Sequence, residues 1–396
     1  MQFIDLAAQQ GRIRDRIEAK IKNVLSHGKY IMGPEVAEIE KRLADFIGTK
    51  HAISCSSGTD ALLLALLAEG VGPGDAIFTS PFTFIATAEI ISLIGATPVF
   101  VDIDPVTFNI DPKHLKKAIS ALEKKDPGVY PLPAKNRQEP LKPKGIIVVD
   151  LFGLPADYEE IEKIAESADL FVIEDAAQSL GAEYNGRKAC SFGVIACTSF
   201  FPAKPLGCYG DGGMCFTDDD RLADVILSLR VHGKGSHKYD NSRIGINGRL
   251  DTLQAAILLA KLEIFPDEIE RRQAIAGQFA FDLPFVGIYS EALAESGLQV
   301  PTIPEGFKSA WAQYSVVAEA EAKRTELQAR LKASEIPTAV YYPTPLHLQT
   351  AFAHLDYHSG NFPVSENTSS RIFSLPMHPY LKADDQMKIA KILTGS

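Results

Sequence analysis

Four short stretches of this 396-residue chain combine residue types at spacings suited to chemistry. The first is Ala196-Cys197-Thr198-Ser199-Phe200-Phe201-Pro202-Ala203-Lys204-Pro205-Leu206-Gly207, followed by Gly210-Asp211-Gly212-Gly213. Lys204 stands alone among apolar, aromatic, proline and glycine residues. Burial in such a setting disfavours the ammonium form and leaves a nucleophilic amine fit to condense with a carbonyl. A lysine on a solvated face has charged neighbours, and this one does not. The second stretch is Phe171-Val172-Ile173-Glu174-Asp175-Ala176-Ala177-Gln178-Ser179. An apolar strand ends there in two carboxylates, at the edge where open α/β sheets bind ligands. A carboxylate at that edge can hold a cationic ring nitrogen, or simply cap the next turn. The third, Ser56-Ser57-Gly58-Thr59-Asp60, joins a strand to a helix. Small residues let backbone N–H groups approach an anion at a helix N-terminus. The plain alternative is an N-cap made by Thr59 or Asp60. In the fourth, Arg243-Ile244-Gly245-Ile246-Asn247-Gly248-Arg249-Leu250-Asp251, two arginines flank a glycine-rich turn. It reads as a bidentate grip on phosphate or carboxylate, or as a loop whose Asp251 caps a helix.

Other chemistries find no support. There is no P-loop lysine motif and no GxGxxG in a strand–helix context, which argues against a nucleoside triphosphatase or a nicotinamide enzyme. His354 and His358 are four apart but lie outside any HExxH. A net charge of −10, without a dense Lys/Arg block, argues against nucleic acid as a partner. Apolar runs such as Ala61 to Ala68 fall far short of a membrane span. Met1-Gln2-Phe3-Ile4-Asp5 lacks the basic and apolar regions of a signal peptide. The five cysteines form no CxxC pair and read as free buried thiols. The expectation is a cytoplasmic protein with no membrane association.

The elements that must position these stretches follow from periodicity. Ile13 to Leu25 and Glu35 to Phe46 read as amphipathic helices. Strands are expected at His51–Ser54, Ala76–Ser80, Thr97–Val101, Ile146–Leu151 and Leu170–Ile173. Helices at Ala61–Ala68, Phe84–Ile94 and Tyr158–Ala165 fall between them. Alternating strands and helices imply a mostly parallel central sheet sandwiched by helices. Lys124 to Lys144, rich in proline and charge, reads as a solvated insertion outside the core. Arg249 to Glu270 reads as a long helical stretch broken at Pro266. Beyond it the pattern predicts a smaller C-terminal α/β domain: strands at Ala312–Val317 and Ala339–Tyr342, helices at Arg324–Ser334 and Asp384–Leu393. The expected division is 1–254 for the large domain and 255–396 for the linking helix and small domain.

An anion cradle, a carboxylate at a strand end and a nucleophilic lysine together suit pyridoxal phosphate (PLP). On these residues the sequence resembles the fold-type-I, PLP-dependent nucleotide-sugar aminotransferases of DegT and StrS type, over nearly its whole length. The most specific parts are Ser57-Gly58-Thr59-Asp60-Ala61-Leu62, Phe82-Thr83-Phe84-Ile85-Ala86-Thr87, Glu174-Asp175-Ala176-Ala177-Gln178-Ser179, Ser199 to Lys204, and Gly210-Asp211-Gly212-Gly213. The resemblance implies that Lys204 binds the cofactor's aldehyde and then moves the proton. It implies that Asp175 keeps the pyridine nitrogen protonated, that Gln178 contacts the ring hydroxyl and that Phe84 stacks on the ring. Gly58, Thr59 and Ser199 would hold the phosphate, and Asn247 would reach it from the neighbouring subunit of a homodimer with shared active sites.

Narrower segments resemble bacterial enzymes that aminate UDP-2-acetamido-2-deoxy-3-oxo-glucuronate with glutamate, in polysaccharide biosynthesis. They include Ala196 to Pro202, Lys204 to Asp211, Arg249 to Ala256 and Ser374-Leu375-Pro376-Met377-His378-Pro379-Tyr380. Arg249 would then pair with a substrate carboxylate, Tyr342 would sit near the sugar, and Gly33 would border the nucleotide. Tyr342 to Gln349 also resembles enzymes that aminate TDP-3-oxo-6-deoxyhexoses, which keeps that substrate open. Two further alternatives stand: a PLP-dependent sugar dehydratase, whose relatives carry histidine in place of Lys204, and a non-catalytic regulator on the same fold.

Overall fold

In the central strands, neighbouring residues point into different apolar clusters, so helices are needed on both faces. The computed structural model describes residues 1–134, 140–237, 239–277, 289, 293 and 296–395. Its strands are β1 (His51–Cys55), β2 (Asp75–Thr79), β3 (Thr97–Phe100), β4 (Lys142–Val149), β5 (Phe171–Asp175), the short β6 (Glu183–Tyr184) and β7 (Arg187–Lys188), β8 (Ile195–Ser199), β9 (Gly213–Thr217), β10 (Phe307–Lys308), β11 (Tyr314–Val317) and β12 (Ile372–Leu375). A seven-stranded sheet has the order β1-β9-β8-β5-β4-β2-β3. The strands β8, β5, β4, β2 and β3 pair in parallel, and only β9 runs against its neighbours.

The helices are α1 (Leu6–His27), α2 (Pro34–Ile47), α3 (Gly58–Ala68), α4 (Ala86–Leu93), α5 (Pro112–Lys124), α6 (Tyr158–Ser167), α7 (Asp220–Leu229), α8 (Thr252–Leu262), α9 (Phe265–Ala276), α10 (Glu321–Ala333), α11 (Pro363–Arg371) and α12 (Ala383–Thr394). Phe78, Ile146, Val148 and Val172 pack with Leu115 and Ile119 of α5 and Ile161 of α6. Ile77, Ile147 and Ile173 pack on the opposite face with Leu62, Leu66, Ile90 and Ile226 of α3, α4 and α7. This is the period-two alternation of a strand with both faces covered. Around the end of β9, Met214 and Phe216 pack against Val36, Leu258 and Phe265 of α2, α8 and α9. A separate two-stranded sheet, β11 antiparallel to β12, packs Tyr314, Val316, Phe373 and Leu375 with Leu327, Leu331 and Ile389.

Several expectations need correction. The segment Lys124 to Lys144 is not wholly solvated. Tyr130, Leu132 and Leu141 are buried, and the Tyr130 hydroxyl accepts the Asp102 N–H at 2.8 Å. Its charged residues mask apolar ones that reach the core, and Lys142 already opens β4. Residues 135–139 of that segment lie outside the described residues, as do 278–288, 290–292, 294–295 and 396 in the expected C-terminal domain. The expected strand Ala339–Tyr342 reduces to one bridge between Ala339 and Ser374. Pro337 and Pro343 flank it and donate no ladder hydrogen bond. The stretch Arg249 to Glu270 is two helices, with Pro266 in the first turn of α9, where its missing N–H costs nothing. Helix α4 begins at Ala86, so Phe84 stands in the turn before it.

Candidate active site

The large sheet brings β5 and β8 side by side, with Asp175 opposite Cys197 and Ser199 two residues further along β8. Asp175 ends β5 and is 5% exposed. Its Oδ2 accepts the Thr87 hydroxyl at 2.8 Å and its Oδ1 accepts the Ala177 N–H at 3.2 Å. Burial pushes this carboxyl up, while the two donors and the charge of Lys204 pull it back. Lys204 follows β8 in a turn closed by its own N–H on the Phe201 carbonyl at 2.9 Å. Burial lowers the pKa of its amine and Asp175 partly restores it. The amine therefore has a larger neutral fraction than an ordinary lysine, as a nucleophile requires. Glu174 faces the other way and accepts the N–H groups of Cys190 and Phe192 at 2.6 and 2.8 Å. Period two thus leaves only one of the strand-end carboxylates at the site.

Gln178 is held from two sides. Its Oε1 accepts the Phe152 N–H at 2.8 Å, which directs its Nε2 toward the Tyr342 hydroxyl at 3.3 Å. Phe152 makes that bond with a left-handed backbone, φ 59°. The Tyr342 ring lies 6.2 Å from that of Phe82 and 6.5 Å from that of Phe84. Phe84 is 55% exposed, so about half of its aromatic surface is open to a ligand. Phe84, Tyr342 and Gln178 therefore form one connected group, and Tyr342 and Lys204 both lie close enough to Asp175 to feel its charge.

Helix α3 supplies the anion cradle. Its N-cap is Ser57, not Thr59 or Asp60. The Ser57 backbone is extended, and its Oγ accepts the Asp60 N–H at 3.0 Å. The amides of Gly58 and Thr59 open the helix, where no preceding carbonyl takes them. A Cβ on Gly58 would lie 2.7 Å from the Ser199 Cβ, and one on Gly213 would lie 2.2 Å from the Ser57 carbonyl oxygen. The missing side chains let the open turn of α3 rest against Ser199 at the end of β8. An open helix N-terminus beside a hydroxyl suits a phosphate. With Asp175 and Lys204, the residues present fit PLP. Asp60, the acidic residue of that turn, accepts the Ser56 hydroxyl.

Gly33, Asn247 and Arg249 form a second group. Arg249 Nε donates to Asn247 Oδ1 at 2.8 Å. Ile31 bridges Asp251, and the Gly33 N–H donates to Thr252 Oγ1 at 3.0 Å. Gly33 also has a backbone reason to be glycine, since a Cβ there would lie 2.5 Å from the Lys29 carbonyl oxygen. The Ser56 N–H donates to the Gly248 carbonyl at 3.2 Å, which ties this group to the α3 turn. Arg243 does not join Arg249 in a grip; its guanidinium donates to the hydroxyls of Ser228 and Ser242, both at 3.3 Å. Asp251 stands at the N-cap of α8 without making a side-chain cap bond.

Sequence reasoning passed over Ser57, Thr83, Thr87 and Phe152. The two threonines are four apart in a stretch already singled out, a spacing that puts both hydroxyls on one side of a helical turn. Nothing in the sequence marks the left-handed backbone of Phe152. A partly open space beside Phe152, lined by Phe108, Leu151, Trp311 and Gln313 among others, carries no ionisable group.

Comparison with known proteins bears on the family and the fold. The model of the DegT/DnrJ/EryC1/StrS aminotransferase family matches residues 12–394. The UDP-2-acetamido-2-deoxy-3-oxo-D-glucuronate aminotransferase of Pseudomonas aeruginosa is 47% identical over 395 residues, covering 100% of both chains. The dTDP-3-amino-3,4,6-trideoxy-alpha-D-glucose transaminase of Streptomyces venezuelae is 33% identical, covering 98% of this chain and 93% of its own. The crystal structure of a DegT DnrJ EryC1 StrS aminotransferase from Brucella abortus has a TM-score of 0.91 at 51% identity, covering 100% of this chain and 99% of its own. With its matching fold and a lysine, carboxylate and glycine turn set at one sheet edge, the chain belongs to the DegT/DnrJ/EryC1/StrS aminotransferase family.

Proposed function

We propose that this aminotransferase uses PLP and L-glutamate to convert UDP-2-acetamido-2-deoxy-3-oxo-glucuronate to its 3-amino sugar, for surface polysaccharide biosynthesis. The observation that carries the reading is a buried lysine, Lys204, within electrostatic reach of Asp175, with Gly58 packed on Ser199 to open the α3 turn. The 47% identity to the Pseudomonas aeruginosa enzyme supports the substrate. Bound PLP supplies an aldehyde that accepts the amine and a ring that withdraws electrons from the carbon losing its proton.

The residues of the chain do the rest. The amides of Gly58 and Thr59 and the Ser199 hydroxyl hold the phosphate. Asp175 presents an ionised oxygen to the ring nitrogen, and Gln178 Nε2 turns toward the ring hydroxyl. Phe84 covers the ring face and excludes water. Lys204 Nζ takes the proton from the donor carbon and returns it, a role that suits an amine with a lowered pKa. Arg249 pairs with the uronate carboxylate. Tyr342 borders the sugar and Gly33 the nucleotide. Asn247 serves the phosphate of a neighbouring copy, and exposed Ile31, Phe201 and Ile244 supply apolar surface for such a homodimer. The reading divides the chain at 1–254 and 255–396, with α8 as the link. It places the reaction in the cytoplasm, where free thiols such as the five cysteines persist.

The test is the absorption spectrum of PLP-loaded protein before and after L-glutamate. Loss of the visible band, and amination of the UDP-3-oxo-uronate, are expected. Lys204→Ala removes the group that moves the proton, and turnover falls by roughly 10³-fold or more. Wild-type turnover in that variant overturns the reading. The identity to the Streptomyces venezuelae transaminase favours a second substrate, a TDP-3-oxo-6-deoxyhexose. Faster amination of that sugar would replace the first.

A further inference from the structure

We propose that Thr87, with Thr83 behind it, is the positioning residue that keeps Asp175 ionised and aimed at the cofactor's ring nitrogen. The inference rests on the PLP reading above and assigns a role beyond it. Thr83 and Thr87 are 2% and 1% exposed, and their hydroxyls lie 3.1 Å apart. A carboxylate only accepts, so Thr87 donates to Asp175 Oδ2 at 2.8 Å and takes its own donor from Thr83. The chain of hydroxyls therefore has one direction, toward Asp175. The Ala177 N–H at 3.2 Å holds the other oxygen. Both donors favour the ionised form that burial disfavours. The remaining lone pairs are left to the ring nitrogen. Phe84 lies between the two threonines in the turn that leads into α4, so the residue proposed to cover the ring and those that orient its carboxylate share one short segment.

The groups acting on Asp175 come from every side. Lys204 follows β8, Cys197 lies on β8, Tyr342 stands across from Gln178, and Tyr158 lies on α6. Asp150, at the end of β4, donates its N–H to the Asp175 carbonyl at 3.1 Å, and Glu174 faces the far side of β5. Lys204 is the cation among these. Thr87 is the side chain that donates a hydrogen bond to the Asp175 carboxylate.

The test compares PLP-loaded wild type, Thr87→Val, Thr87→Ser and Thr83→Val. Losing the Thr87 donor makes Asp175 more basic and draws the proton off the ring nitrogen. With less positive charge on the ring, the Lys204-linked nitrogen keeps its proton to higher pH. The expected result for Thr87→Val is a visible-band titration midpoint raised by about half a pH unit or more. PLP affinity should weaken roughly tenfold. Thr87→Ser restores both, and Thr83→Val shifts the midpoint the same way by less. Should Thr87→Val not fold, the shift in Thr83→Val decides the matter. A wild-type midpoint and PLP affinity in Thr87→Val, or in Thr83→Val if it alone folds, overturns the proposal. So does a Thr87→Ser variant that fails to recover. Wild-type protein that gives no visible band with PLP defeats the aminotransferase reading itself, and this inference with it.

Discussion

On the proposed reading, Arg249 separates the two half-reactions. Its Nε holds Asn247 at 2.8 Å, which orients the guanidinium without neutralising it. A substrate carboxylate is then the charge it is free to meet. Arg249→Ala should raise KM for the UDP-uronate by roughly 10- to 100-fold, in line with a lost charge-assisted pair. The glutamate-driven loss of the visible band should keep its rate. Arg249→Lys should recover little, because an ammonium cannot reproduce a bidentate fork. Stopped-flow rates for the two halves provide the check, and an equal loss in both would move Arg249 from the sugar to the cofactor. Arg249 and Lys204 were legible as residues with chemistry. Thr87 was not, because its role exists only where its turn meets the end of β5.

The scale of the element is where Gly58 acts. It opens α3 and lies against Ser199, so an added Cβ would meet the Ser199 Cβ at 2.7 Å. Gly58→Ala supplies a better helix former, which offsets the strain within the helix by about 1 kcal/mol. It must also part the α3 turn from β8. The expected outcome is a Tm close to wild type with PLP affinity weakened about tenfold or more. Paired thermal melts and PLP titrations decide it; a large fall in Tm with unchanged affinity would make Gly58 a packing residue only. The strand and helix of this unit were readable from apolar periodicity. The cap was misassigned, because Ser57, Thr59 and Asp60 are all competent types and only the extended backbone of Ser57 selects one.

Across the whole molecule, a buried acid pair lies beneath the site. Asp150 accepts the Tyr158 and Ser179 hydroxyls at 2.8 and 2.7 Å and the Ala156 N–H at 3.0 Å. Burial nevertheless raises it to about 6, and Glu174 beside it is raised as well. A carboxyl with a raised folded pKa binds its proton more tightly in the native state. Its contribution is fully present below the unfolded value near 4 and is lost as pH rises through the folded value. Asp150→Asn keeps the acceptor for Tyr158 and Ala156 and gains an N–H for Ser179 or Glu174. Relative to wild type, Asp150→Asn should therefore gain stability between about pH 4 and 7. Denaturant melts at pH 5 and 8 test this, and a pH-independent difference would refute it.

Association belongs to the same scale. Ile244 is 94% exposed and Phe201 52%, so two copies together should sediment at twice 43.1 kDa. A monomeric mass in active enzyme would refute the shared site.

Residue type and period were enough to mark Lys204 in its apolar surround, the carboxylates closing β5, the glycine turn and a parallel sheet clothed in helices. These depend on local chemistry and on spacing along one element. Which carboxylate faces the site, where Phe152 places its N–H, and how Tyr130 and Leu141 enter the core beneath a charged segment depend on contacts between distant parts of the chain. Asp175 meets Thr87 across 88 positions and Gln178 meets Tyr342 across 164. Such meetings depend on sheet order and register, and no local pattern encodes them.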